Sequence, residues 1–530
     1  MTHARDLRGA IVPVGALLAA IAILVSASTA RTGGTLVYPL DDAYVHMAIA
    51  KHTANDGVWG VTSERFTSAS SSPLWTGLLA ATYAIAGVSD VAPLVLNIAI
   101  AIALMVSAYA LLIDAGMAPM AAVPWSLIVL LAGTVPTLTM IGMEHTLHAL
   151  LTLWLIVLAA RRAGAAREVP SPALLMTLAA LTAAARYEGL FAVACVAIAL
   201  AVMRKWRDAA AVAAAGALPL LAFGLWSISQ GGFLLPNSVL LKGVMPPLSL
   251  LGAAQLVLFI PAVKALQSTP HLAVLLIAVL SLAALPANDV RARERRIAAL
   301  IFAFCVLLHM QFARAGWFFR YEAYLMIAGI VVAAILAQGI SWTRIAPARQ
   351  PMLAGVAAAV VAALLALPIA RRSYTALHLV PGAASNIFEQ QYQVAAFLDE
   401  HYAGRRIAVN DVGAVGYFAD VKLFDIYGLA STEIAAIKRR GGYTSEKVGE
   451  LASREDVAIA VIYPSWLAEY GGIPAGWQRA GAWGVSNNLV LGETAASFYA
   501  VGASRDELAG HLEAYATRLP SGVVQELAAR

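Results

Sequence analysis

The sequence predicts a polytopic α-helical membrane protein with a soluble α/β domain in its C-terminal third. Three observations carry that prediction. The 530 residues are 60% hydrophobic and only 13% charged, with mean hydropathy +0.75, too little polar surface for a soluble protein of this length. Apolar runs of roughly 16–24 residues recur, long enough to cross a hydrocarbon core of about 30 Å. Beyond residue 370 the composition turns to ordinary polar content with short strand-like runs. A β-barrel would show short alternating segments instead. The formal charge of +5 reflects arginines in loops between apolar runs, so no nucleic-acid partner is expected. Cys195 and Cys305 both fall inside predicted spans and read as small packing residues, not as a disulfide framework.

The elements follow in order. "MTHARDLRG" is basic and is expected on the cytoplasmic side, leading into an uncleaved first span near 10–30. Further spans are expected near 73–88, 91–113, 119–141, 145–160, 172–186, 189–203, 209–228, 270–286, 297–313, 321–339 and 351–370. The basic stretches at 161–167, 204–208, 291–296 and 343–349 each fall between two runs and orient the chain. That leaves outward loops at 31–72, 141–146, 186–190, 230–247 and 312–322. A cytoplasmic start and an outward C-terminal domain need an odd number of spans, whereas the runs number twelve. The miscount is expected between 91 and 160, where Pro124 and Pro136 interrupt one run; the 247–263 run is an alternative extra span. The expectation is 11–13 spans, a membrane domain over 1–370 and an outward domain over 371–530. In that domain "RRIAVNDVGAVGYFADVKLFDIYGL" and "VAIAVIYPSW" read as buried strands, and the glycines of "DVGAVGY" as a tight strand-to-helix turn, since they lack nucleotide-binding spacing. No internal repeat is evident.

Chemistry concentrates in the outward loops. "YPLDDAY" presents Asp41 and Asp42 at the start of a helix. One aspartate suits an N-cap; the second asks for another role, because desolvating two carboxylates beside a membrane is costly. Asp42 and His46 share a helix face, with Lys51 about two turns on. A carboxylate that takes a proton from a hydroxyl, beside cations that hold a phosphate, suits glycosyl transfer from a phospho-sugar. "GMEHTLHALL" adds Glu144 and His145, where the carboxylate either complements a helix N-terminus or orients an acceptor hydroxyl. "ARYEGL" adds Arg186 and Glu188, an ion pair or a phosphate site. "LLPNSVLLKG" contributes Asn237 and Lys242. "FARAGWFFRYEAY" places Arg314, Trp317 and Arg320 among aromatics, as an interfacial belt or as guanidinium forks for a lipid phosphate.

With these motifs in hand the chain resembles the polytopic GT-C glycosyltransferases, and within them the branch of bacterial terminal arabinofuranosyltransferases. The motifs that carry the resemblance are "LDDAYVHMAIAKH", "TSERFTSASSSPLW", "GMEHTLHALL", "ARYEGL", "LLPNSVLLKG" and "NDVGAVGYF…DIYGL", in family order across nearly the whole chain. It departs at Tyr187, where members usually read RPEG, and at "SASSSP", in place of a glycine-tyrosine turn. The resemblance implies an inverting transferase that moves a sugar, a pentose such as arabinofuranose, from a polyprenyl-phosphate donor to an envelope glycan or lipid acceptor. It implies a multi-pass protein of the bacterial inner membrane, with its active site and C-terminal domain facing the periplasm. Asp41 is then the general base, with Asp42 the close alternative, and Glu144 the second acidic group. His46, Lys51, Arg65, Arg186, Glu188, Asn237, Lys242 and Arg320 are candidates for donor or phosphate contacts; Tyr44, His145 and Trp317 are candidates for acceptor contacts or for supporting them. No cofactor is required, although Asp41, Asp42 and Glu144 would be the ligands of any divalent cation. The competing readings are a transporter or flippase of lipid-linked sugars and a protein O-mannosyltransferase-like enzyme.

Overall fold

The first apolar run forms α1 (Ile11–Arg31), closed by Thr32 and followed by a turn through Gly33 and Gly34 that delivers the chain to α2 (Asp41–Asp56). This computed structural model describes residues 7–164, 169–242, 250–287, 291–340 and 351–529. Leu40 occupies the cap position of α2 and no side chain caps it. Asp41 and Asp42 therefore stand in the first helical turn, where their charge complements the helix dipole. Gly57, at φ 69°, ends α2 in the left-handed conformation. Residues 43–50 are all buried. Ala43, Tyr44, Met47 and Ala48 join the core of the helical bundle, whereas Val45 and Ile49 join the core of the C-terminal domain. α2 is thus a joint between the two halves of the molecule.

Helix directions resolve the span count. α4 (Ala92–Asp114) starts beside Asp90, whose backbone and carboxylate accept hydrogen bonds from the Tyr38 and Tyr417 hydroxyls at 2.7 and 2.6 Å. It ends at Asp114, which pairs with Arg161 and Arg291. One end of the bundle therefore carries the aspartate loop and the other the basic loops. α5 (Pro119–Ala132), α7 (His145–Gly164), α8 (Pro172–Ala185), α9 (Gly189–Val202) and α10 (Trp206–Ser229) alternate between these ends. So do α14 (Pro270–Ala284), α15 (Ala292–Phe312), α16 (Ala323–Gln338) and α17 (Pro351–Ile387). With α1 and α4 they make eleven among the described residues, an odd number, and both α1 and α17 finish at the aspartate end.

The surplus run is α3 (Pro73–Ala86), not a segment between 91 and 160. Its start is tied to the aspartate end, where Ser70 and Ser71 approach His46 and Glu144, each at 3.4 Å. Its exit leads straight to Asp90 at the same end. α3 lies against α2 through Trp75, Leu79 and Tyr83 and does not cross. The 119–141 run breaks at Thr134, at φ 53°, into α5 and the short α6 (Val135–Met140), which stays at the aspartate end. Pro124 lies inside α5 and does not break it. The 247–263 region forms α12 (Leu250–Val257) and α13 (Ile260–Ser268), after the short α11 (Asn237–Lys242). Gln311 holds both at the aspartate end, through the Ala262 N–H at 3.1 Å and the Leu256 carbonyl at 3.2 Å. α13 meets α14 at 110°, so it runs across the bundle. Five described helices are long and apolar enough to cross a membrane unaided, and several others have 14–16 residues. A 14-residue helix is about 21 Å long, so the adjoining turns complete those passages.

α17 runs through the boundary expected at 370/371 and continues via a π-turn at 388–392 into α18 (Gln393–Tyr402). The sheet that follows has order β2-β1-β3-β5-β4-β6. β1 (Arg406–Val409) pairs in parallel with β2 (Lys422–Asp425) and β3 (Val457–Ile462). β4 (Gln478–Val485), β5 (Ala495–Ala500) and β6 (Val523–Leu527) complete it antiparallel. β1 to β3 are the strands expected from the sequence, and β3 is buried at all six positions because helices cover both faces. α19 (Gly413–Phe418) leaves the end of β1 and packs on α2.

Candidate active site

Two cavities meet where the bundle and the domain join. The first, about 290 Å³, is lined by Asp42, His46, Ser71, Arg186, Glu188, Arg314 and Arg320 with apolar walls from Val45, Leu190, Phe191, Leu235 and Phe312. The second, about 450 Å³, lies on the domain side and is lined by Asp41, Asp42, Arg320, Trp317, Gln391, Asn410, Asp411, Tyr427 and Trp466. Asp42, Arg314, Arg320, Tyr321 and Leu429 belong to both.

The two aspartates differ in their partners. Asp42 pairs with the Arg320 guanidinium, and its side chain keeps 27% of its surface exposed. Asp41 is held by backbone donors instead. Its two carboxylate oxygens accept the N–H groups of Gly413 at 2.9 Å and Ala414 at 2.8 Å, at the start of α19. Gly413 has to be glycine there, because a Cβ would stand 2.6 Å from the Asp41 Oδ2. Gly413 of "DVGAVGY" thus serves more than a tight turn: it lets the domain backbone close onto Asp41. Burial and the facing carboxylate of Asp411 push Asp41 up to about 8, against the two N–H donors. Asp411 is in turn oriented by Gln391 Nε2 at 3.0 Å.

Behind the first cavity lies a buried charge cluster. Glu144 pairs with Arg186, and Arg186 forks onto Glu188 at 2.8 and 3.2 Å. His145 approaches the same guanidinium at 3.4 Å. Glu144 is fully buried and does not line either cavity. His46 sits between Thr76, at 2.7 Å, and Glu144, at 3.4 Å. Burial lowers its proton affinity even beside Glu144 and Asp42, which favours the neutral ring. Tyr321 lies under both arginines, with the Arg320 and Arg186 guanidinium carbons 5.0 and 5.7 Å from its ring centre. Glu322 anchors the loop from below by accepting the Gly316 N–H at 2.8 Å and pairing with His271 and Arg372 at 3.3 Å each.

Besides Glu144 and His145, four further predicted residues line neither cavity. Lys51 turns to the Tyr417 carbonyl, at 2.8 Å. Arg65 is exposed elsewhere on the surface. The Tyr44 hydroxyl accepts the Tyr38 N–H at 2.9 Å, and its ring packs on Tyr38 and Phe418, so it serves the joint. Asn237 is buried and donates to the Leu429 carbonyl at 3.2 Å, which ties "LLPNS" to "DIYGL". The side chain of Lys242 lies outside the described residues. Asp41, Asp42 and Glu144 do not converge as a metal cage, and no group of three or more His, Cys, Asp or Glu suited to a metal occurs among the described residues. Sequence reasoning passed over Asp411, Tyr321 and Glu322. One signal was available: Arg-Tyr-Glu occurs at 186–188 and again at 320–322.

The fold defines a class, a multi-pass helical membrane protein with a C-terminal α/β domain. Among solved structures, it resembles ArnT from Cupriavidus metallidurans bound to undecaprenyl phosphate, with TM-score 0.52 and 13% identity over 93% of this chain and 98% of that one. The Archaeoglobus fulgidus oligosaccharyltransferase in complex with Zn and sulfate gives TM-score 0.47 and 12% identity over 96% of this chain and 74% of that one. Residues 385–501 match a family model described as a domain of unknown function, DUF8728. No curated protein matches the sequence.

Proposed function

We propose that this protein is an inverting glycosyltransferase that moves a sugar from a polyprenyl-phosphate donor to an envelope glycan or lipid acceptor at the periplasmic face of a bacterial inner membrane. The observation that carries this reading is the Asp42–Arg320 pair between two cavities, one apolar-walled and rich in arginine, the other lined by aspartates and aromatic rings. The donor phosphate belongs in the first, beside Arg320 and Arg314, with its chain along Leu190, Phe191 and Phe312. A structure of the same fold holds undecaprenyl phosphate. The acceptor hydroxyl enters from the second.

Asp41 is the better base of the pair. The Arg320 guanidinium occupies Asp42, whereas burial and Asp411 strengthen the pull of Asp41 on a proton. Each Asp41 oxygen that accepts an N–H keeps a lone pair for a hydroxyl. In the proposed step the acceptor O–H proton passes to Asp41 and the oxygen bonds to the anomeric carbon. The carbon–phosphate-oxygen bond breaks on the opposite face, and the arginines stabilise the departing lipid phosphate. One displacement inverts the anomeric centre. The pentose assignment rests on the motif resemblance. A transporter is expected to place ionisable groups near mid-span; here the ion pairs among the described helix residues gather at the two ends of the bundle. Purified protein in detergent, supplied separately with radiolabelled polyprenyl-phosphate arabinofuranose and polyprenyl-phosphate mannose plus an envelope-glycan acceptor, tests the reading. Transfer with inversion from the pentose donor is expected; no turnover with either donor contradicts it.

A further inference from the structure

The second cavity does not stop at Asp41. It adjoins a further cavity of about 270 Å³, and the two share Asn410, Tyr427 and Trp466. Their shared walls come from the C-terminal ends of the parallel strands: Asn410 after β1, Tyr427 after β2 and Trp466 after β3. That edge of a parallel sheet is where α/β folds bind ligands, because the turns leaving adjacent strands diverge there. From this groove we infer that the acceptor is an oligosaccharide chain occupying at least two successive sugar subsites, the first at Asp41 and the second beyond Trp466, a conclusion about the acceptor that rests on the transferase reading above.

Two kinds of group support it. Trp466 and Tyr427 stand 5.2 Å apart, centre to centre, and form the rib between the cavities. Tyr470 lines the further one, and Lys438 is fixed in its wall by the Tyr427 carbonyl at 2.9 Å. Aromatic faces suit the C–H face of a pyranose or furanose ring. Two buried amides supply the polar complement. Asn410 and Gln391 are each 5% exposed. The Nδ2 of Asn410 and the Oε1 of Gln391 have no hydrogen-bond partner among the described residues, although the other atom of each amide is used. Unsatisfied polar atoms are costly when buried, and a sugar offers a row of hydroxyls that both donate and accept. A lipid acceptor with one sugar would satisfy the second cavity and leave the further one without purpose.

The test is equilibrium binding of octyl glycosides carrying one, two or three arabinofuranose or mannose units to the full-length protein in detergent, with Asp41→Asn used to prevent turnover. In at least one series, affinity is expected to rise tenfold or more from one unit to two. Tyr470→Ala, which lines only the further cavity of the two, should abolish that increment while leaving one-unit binding within error, and Trp466→Ala, which lines both, should abolish it as well. Equal affinity for one and three units, no binding in either series, or an increment that survives both substitutions overturns the inference. If the increment stands while the wild type transfers from no lipid-linked donor, the groove is retained and the transferase reading falls.

Discussion

The same tripeptide, Arg-Tyr-Glu, occurs twice at the site and is used in two ways. At 186–188 the arginine is clamped by its own Glu188 and by Glu144, and the Glu144 side chain has no exposed surface. At 320–322 the glutamate turns away to His271, Arg372 and the Gly316 N–H, and the arginine pairs with Asp42, which is partly open to both cavities. The first arginine is committed to holding α7 and the α8–α9 turn together. The second has a partner it can exchange for a phosphate. Charge alone therefore does not mark a donor-binding group; what its partner can release does.

That contrast can be broken, and the largest effect is expected at Arg186. Arg186→Gln leaves Glu144 buried without its cation and should cost about 3–5 kcal/mol of stability, read as a large fall in melting temperature of the purified protein. Retention of full stability would mean that the two arginines are equivalent. Arg320→Lys keeps the charge and loses the planar fork. It should raise the donor KM roughly tenfold with little change in melting temperature, because Asp42 reaches solvent. Gly413→Ala sharpens the account of the base, since its Cβ would intrude 2.6 Å from the Asp41 Oδ2. A smaller fall in kcat is expected, with donor affinity kept.

Much of this arrangement was legible in the sequence, and the limits have physical causes. Hydropathy located the apolar helices because a bilayer demands their length and composition. It could not tell that α3 folds back, since a helix packed on α2 with Leu78 and Ile85 on its open face is as apolar as one that crosses. The Asp41-Asp42 pair was visible as costly charge beside a membrane. The distinction between the two was not, because it depends on Gly413, Ala414 and Asp411, some 370 residues away, and on Arg320. Lys51 and Asn237, candidates for donor contacts, tie the bundle to the domain through the Tyr417 and Leu429 carbonyls, pairings that no local pattern announces. Asp411 escaped notice because a single aspartate after a strand has no local signature.

The most direct test compares Asp41→Asn and Asp42→Asn in transfer and donor binding across pH. Asp41 must be ionised to take a proton, so wild-type transfer should rise with pH and level off above about 8. Asp41→Asn should lose about 10²–10⁴-fold in kcat while binding donor like the wild type, whereas Asp42→Asn should keep transfer within about tenfold. Full activity in Asp41→Asn, or a loss in Asp42→Asn as deep as in Asp41→Asn, would contradict the assignment of Asp41 as the base.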